Sequence, residues 1–202
     1  MSGSESSGKN ARNQYSIRDE FYIERVRDEA IIQLKTVSGK TAADIGAGTG
    51  FMSEGLLDAE LNVIAVDSSP AMIEFLREKF ADIKEFRAAL TDSSSITLAD
   101  DSADYAFANM YLHHMDDPQS AVKEIFRILK PGGKAAITDL LFHNHEDLLK
   151  THQNRWPGFT FPDLYDWFIN AEFKNISIEK LNPLSIDGSD IKFEIFIACG
   201  EK

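Results

Sequence analysis

The run Asp44-Ile45-Gly46-Ala47-Gly48-Thr49-Gly50 puts a carboxylate beside three alternating glycines. Glycine reaches positive φ and lets the backbone approach a ligand without a Cβ clash. Asp67 follows 21 residues after Gly46. A carboxylate at that distance from such a loop can accept both hydroxyls of a ribose. Asp67 could also simply cap the helix that Pro70 opens. The spacing here is G-x-G-x-G, whereas a dinucleotide loop reads G-x-G-x-x-G. A nicotinamide-dependent oxidoreductase is therefore the weaker expectation for a nucleoside-binding chain.

Histidines form the second group. His113 and His114 lie where a fourth strand should end, the edge at which open α/β sheets bind ligands. One of them could be a general base for a hydroxyl, an amine or an acidic C–H. Alternatively, one packs inward and the other meets solvent. His143, His145 and His152 fall within Leu141–Phe161. On one helix His145 and His152 would share a face about 10 Å apart, too far for one ion. A metal site from these three is thus the minor expectation. A pocket wall or solvated face is the major one. Trp156, Phe159, Phe161, Tyr165, Trp167 and Phe168 follow as an aromatic cluster, part core and part candidate wall for an apolar or aromatic acceptor.

Strand–helix alternation must position these groups. Residues 15–37 read as a helix that Gly39 ends. Lys40–Ile45, Leu61–Val66, Lys84–Leu90, Asp104–Asn109 and Lys134–Leu140 read as strands. Phe51–Asp58, a stretch from Ser69-Pro70 to Phe80, and Pro118–Leu129 read as helices. Gly55 weakens the first of these. Pro131-Gly132-Gly133 stops the last. Such alternation implies a parallel sheet with right-handed crossovers. Phe173–Leu181 and Ile191–Cys199 have no room for a helix between them, so they should pair as an antiparallel hairpin at the sheet edge. The expected fold is α/β, a Rossmann-like, seven-stranded, mostly parallel sheet with that C-terminal antiparallel hairpin and helices on both faces. Residues 1–13 read as a disordered tail and 14–202 as one domain, with an N-terminal helix in 14–38 and a cap insertion at 141–161.

Bulk properties narrow the partners. The 202 residues are 43% hydrophobic and carry a net charge of −12. That charge repels phosphate backbones and argues against nucleic acid. No run approaches the roughly 18 uncharged apolar residues of a membrane span. The lone Cys199 allows no internal disulfide, which suits a reducing cytoplasm.

ADIGAGTGF, then VIAVDSSPAMIEFLREKF, then ADDSADYAFANMYLHHMDDPQSAVKEIFRILKPGGK resemble the class I S-adenosylmethionine (SAM)-dependent methyltransferases. They are especially similar to the group containing the quinone-biosynthesis C-methyltransferases. The likeness covers about residues 40–140 in the right order. It implies that Asp44 and the backbone of Gly46, Ala47 and Gly48 hold the methionine end of SAM. Asp67 would bind the ribose, and Ser68 and Met72 would lie along the adenosine. Ala89-Leu90-Thr91-Asp92 would meet the adenine, with Leu90 in the key place if strand register is kept and Asp92 if the carboxylate is kept. The family's usual Gly-Asp-Ala is missing there. Asn109 would lie near the methionine amino group and the reaction site.

Asn109-Met110-Tyr111-Leu112 occupies the slot of the Asn/Asp-Pro-Pro-aromatic motif of nucleic-acid amino-methyltransferases, without the prolines. One cysteine is too few for an arsenite methyltransferase. The resemblance thus implies SAM-dependent methyl transfer to a small-molecule acceptor at O, N or C. The alternatives are a non-catalytic SAM-binding protein or sensor and, less favoured, a metal-dependent methyltransferase using the cap histidines.

Overall fold

A computed structural model describes residues 24–92, 95–144, 155–185 and 192–202. Strand β1 is Thr41–Ile45, β2 Asn62–Asp67, β3 Phe86–Leu90, β4 Ala103–Asn109, β5 Leu129–Leu140, β6 Lys174–Ser185 and β7 Lys192–Glu201. They form one sheet in the order β3-β2-β1-β4-β5-β7-β6. The first five are mutually parallel. β7 runs antiparallel to both β5 and β6. This is the Rossmann-like sheet with a terminal antiparallel hairpin that the alternation implied.

Helices α1 (Glu24–Leu34), α2 (Phe51–Asp58), α3 (Pro70–Lys79), α4 (Pro118–Ile128) and α5 (Phe161–Asn170) cover both faces. On one face Leu34, Met52, Leu56, Ile73 and Leu76 pack against Ala42, Val63 and Phe107. On the other, Val122, Ile125, Leu164 and Phe168 pack against Ala43, Ile45 and Ala106. Burial on both faces explains why β1, β2 and β4 read as nearly continuous apolar runs rather than alternating ones. Capping fixes where the helices start. Ser69 caps α3 and Asp117 caps α4, each followed by Pro at the first position. Thr160 and Asp163 form a reciprocal capping box on α5.

Several boundaries differ from the pattern: β6 runs on to Ser185 instead of ending at Leu181, and two others have local causes. α1 ends at Leu34, not near Gly39, because Lys35 takes a left-handed turn at φ 51. Its N–H donates to Ile32 O at 3.0 Å. β5 begins at Leu129 instead of Lys134. Pro131-Gly132-Gly133 does not interrupt the chain; it is absorbed as an irregularity between the pairs Ala103↔Leu129 and Tyr105↔Lys134. Gly132 adopts φ 75, and a Cβ on Gly133 would stand 2.8 Å from Lys130 O. Gly55 does not break α2. Arg27 of α1 lies across it, 2.5 Å from where a Cβ would be, so the glycine admits helix packing. The predicted tail at 1–13 and the start of the N-terminal helix lie outside the described residues. Among those described, no helix is long and apolar enough to cross a membrane.

Candidate active site

Strand order reverses between β1 and β4. The crevice at their C-terminal ends is where open α/β sheets take ligands. Asp44, second to last in β1, is buried there. Ser53 of α2 donates its hydroxyl to Asp44 Oδ2 at 2.5 Å. Burial pushes the Asp44 carboxyl from its ordinary 3.8 up to about 7; hydrogen bonds from Ser53 oppose this, and the charge of Asp67 adds to it. The glycine loop turns through Gly46, Gly48 and Gly50, all at positive φ. The N–H groups of Gly46 and Ala47 donate to Val66 O at 2.9 and 3.0 Å. That of Gly48 donates to Asp67 Oδ2 at 2.8 Å.

Asp67 closes β2. Its other oxygen accepts from Ser69 N at 2.9 Å. Ser69, not Asp67, supplies the α3 cap, accepting from Met72 N. Ser68 is exposed and Met72 is buried. Leu90 pairs in register with Asp67, and Ala89 with Val66. Leu90 is 48% exposed, an apolar side chain at the crevice beside the carboxylate. Of the two residues considered for the adenine position, Leu90 holds the strand register, while Asp92 lies beyond the strand end.

Asn109 ends β4 and accepts the Thr138 hydroxyl at 2.6 Å. Met110 then turns the chain at φ 52. His113 and His114 sit in a 3-10 turn, Leu112–His114, with ring centroids 4.0 Å apart. His113 is only 4% exposed. Its Nδ1 is 2.6 Å from Asp139 Oδ1, and its backbone N–H donates to Asp139 Oδ2 at 3.2 Å.

The family described as "Methyltransferase domain" matches residues 43–137, which contain this whole constellation except Asp139 and Thr138. Residues 43–137 thus carry the methyltransferase domain that this family describes. It is 30% identical over 167 residues to 2-methyl-6-phytyl-1,4-hydroquinone methyltransferase 2, chloroplastic, of Oryza sativa subsp. japonica, covering 80% of this chain and 47% of that one. It is 35% identical over 103 residues to the demethylmenaquinone methyltransferase of Renibacterium salmoninarum, covering 51% and 42%. The chain thus spans less than half the length of these relatives. The fold is also that of YcgJ from Bacillus subtilis, with TM-score 0.79 at 17% identity, over 89% of this chain and 99% of that one.

The described ends of the segment that follows β5 are rooted at the C-terminal edge of the sheet. Phe142 N donates to Phe159 O at 3.1 Å and His143 N to Pro157 O at 2.9 Å, so its two limbs pair at the end of β5. Gly158 permits this at φ 87, since a Cβ would stand 2.4 Å from Leu141 O. The returning limb reaches the β4–α4 loop. Arg155 N and Trp156 N both donate to His113 O. The Trp156 indole donates to Met115 O at 2.8 Å, and Arg155 pairs with Asp116. His145 and His152 lie outside the described residues. Among those described, no group of three or more His, Cys, Asp or Glu could hold a metal ion. A cleft of about 300 Å³ opens beside the crevice, between Ser95-Ile96, Tyr111, Met115 and the first turns of α4.

Ser53 and Asp139 were missed by sequence reasoning. The signal for Asp139 was present, a carboxylate inside the apolar run of β5. Nothing in the spacing pointed to its partner.

Proposed function

We propose that this domain transfers the methyl group of SAM to an oxygen, nitrogen or carbon of a small-molecule acceptor by direct displacement. One observation carries the choice of donor. The loop spends the N–H groups of Gly46, Ala47 and Gly48 on Val66 and Asp67 and that of Gly50 on Ala47 O, and beside it lies the buried carboxylate of Asp44. A pyrophosphate needs N–H donors; an ammonium needs acceptors. With those N–H groups taken and the Asp44 carboxylate beside it, the loop suits a cationic amino-acid end rather than a dinucleotide.

SAM when bound supplies an electrophilic methyl on a sulfonium. On this reading Asp44 and the Gly46–Gly48 backbone hold its amino-acid end. Asp67 takes the ribose hydroxyls. Ser68, Met72, Ala89 and Leu90 line the adenosine, and Asn109 borders the methyl. The protein then needs to align the acceptor and exclude water, and orientation alone can supply roughly 7–11 kcal/mol. The cap limb over the β4–α4 loop serves that exclusion. The net charge of −12 supports a small-molecule acceptor over nucleic acid. The hydroquinone and menaquinone names of the relatives make quinols the first acceptors to try with labelled SAM. Binding without transfer to any acceptor would favour the non-catalytic SAM-binding alternative.

Calorimetry tests the donor. The expected result is one site for SAM or S-adenosylhomocysteine (SAH) and much weaker NAD binding. No SAM binding, or tighter NAD binding, ends the proposal.

Asp44 also predicts a pH dependence. Folding raises its carboxyl from 3.8 to about 7. Its contribution to stability is therefore present below pH 3.8 and lost as pH rises through about 7. Binding an ammonium has the opposite sign, because it favours the ionised form. SAH affinity should level off above pH 7 and fall below it, approaching about tenfold per pH unit for one coupled proton. Asp44→Asn should flatten the profile. An equally steep profile in the variant would show that another group titrates.

A further inference from the structure

In SAM the sulfonium joins the methionyl chain to the ribose. On the reading proposed above, these two parts are held at Asp44–Gly46 and at Asp67. Tyr111 stands against the first of those anchors, and its hydroxyl feels the charge of the second. A Cβ at Gly46 would lie 2.5 Å from Tyr111 Cδ2 and 3.3 Å from both Cγ and Cε2. Those three distances put the Cδ2 edge of the ring nearest the glycine. The ring follows directly on the left-handed turn at Met110. Such a conformation is uncommon for a non-glycine residue and gathers at functional sites. Tyr111 also lines the neighbouring cleft with Ser95, Met115 and Ser120.

The ring keeps its proton. Burial first, then the charges of Asp67 and Glu124, push the Tyr111 hydroxyl up to about 12. The crevice thus holds a neutral aromatic ring among carboxylates.

We propose that Tyr111 distinguishes donor from product: its ring face stabilises the sulfonium of SAM, a charge that the thioether of SAH lacks. The attraction of a cation to a ring face depends on the charge and strengthens when water is excluded. Shape and hydrogen bonding are otherwise nearly shared by the two ligands. Tyr111 would then offset product inhibition, releasing the spent donor without loosening the fresh one.

The test rests on the cofactor proposal and separates from it. The dissociation constants of SAM and SAH are measured by calorimetry for the wild type, Tyr111→Phe and Tyr111→Leu, with thermal melts to confirm folding. Tyr111→Leu should raise the ratio Kd(SAM)/Kd(SAH) by about three- to tenfold. Tyr111→Phe, which keeps the ring, should leave it within about twofold. Should the leucine variant not fold, Tyr111→Met carries the same expectation. A ratio unmoved in the leucine or methionine variant, with both ligands still bound by the wild type, overturns the inference alone. So does a phenylalanine variant that shifts the ratio as far as leucine. A wild type that binds neither ligand overturns the cofactor proposal and this inference together.

Discussion

Asp67→Ala is expected to weaken SAM and SAH binding by at least about tenfold while the protein stays folded. The carboxylate has two oxygens and about four lone-pair sites. Two sites are already used, by Gly48 N at 2.8 Å and Ser69 N at 2.9 Å. The remaining two suit a pair of ribose hydroxyls at the crevice. Hydrogen bonds to a charged acceptor contribute about 1.5–3 kcal/mol. Alanine removes them and also frees the loop brace at Gly48. Asn is no milder a substitution here. Its amide nitrogen would face one of two N–H donors, so Asp67→Asn should bind nearly as poorly as alanine. Calorimetry with SAH, beside a melting curve, checks this. Wild-type affinity in a folded alanine variant would mean that Asp67 serves only to brace the loop.

The backbone partners of Asp67 show where reading a sequence stops. Its position at the end of an apolar strand after a glycine loop was legible, because both features are local and periodic. Its two backbone partners were not, since one comes from a loop 19 residues earlier. The strands followed from composition because burial on both faces demands it. The end of α1 did not, because Lys35 took a left-handed turn that glycine would ordinarily take. Leu90 and Asp92 were inseparable by composition. Leu90 is the one that pairs with Asp67, and that register is a property of the pairing with β2. Tyr111 stood in a recognisable motif slot, yet its contact with Gly46 spans 65 residues and depends on one turn at Met110.

The His113–Asp139 pair is the other case in which a long-range partner alters the meaning of a residue. His113 was a candidate base from its place at the strand edge. Its carbonyl also anchors the cap limb through Arg155 N and Trp156 N. Asp139 is fully buried. It faces His113 Nδ1 at 2.6 Å, His113 N at 3.2 Å and Leu140 N at 2.7 Å. Asp139→Ala removes one acceptor group and strands three donors away from water. Breaking a buried pair by deleting one partner costs about 3–5 kcal/mol. At roughly 2–4 °C per kcal/mol for a domain of this size, the melting temperature should fall by about 6–20 °C. Loss of His113 leaves the carboxylate buried without its main partner, so His113→Ala should cost a similar amount. The double variant should cost clearly less than the sum of the two, because each single change strands the other residue. Thermal melts of the three proteins decide the matter. Full additivity, or single variants that melt with the wild type, would show that the pair does not hold the loop, and would return His113 to the role of a free base.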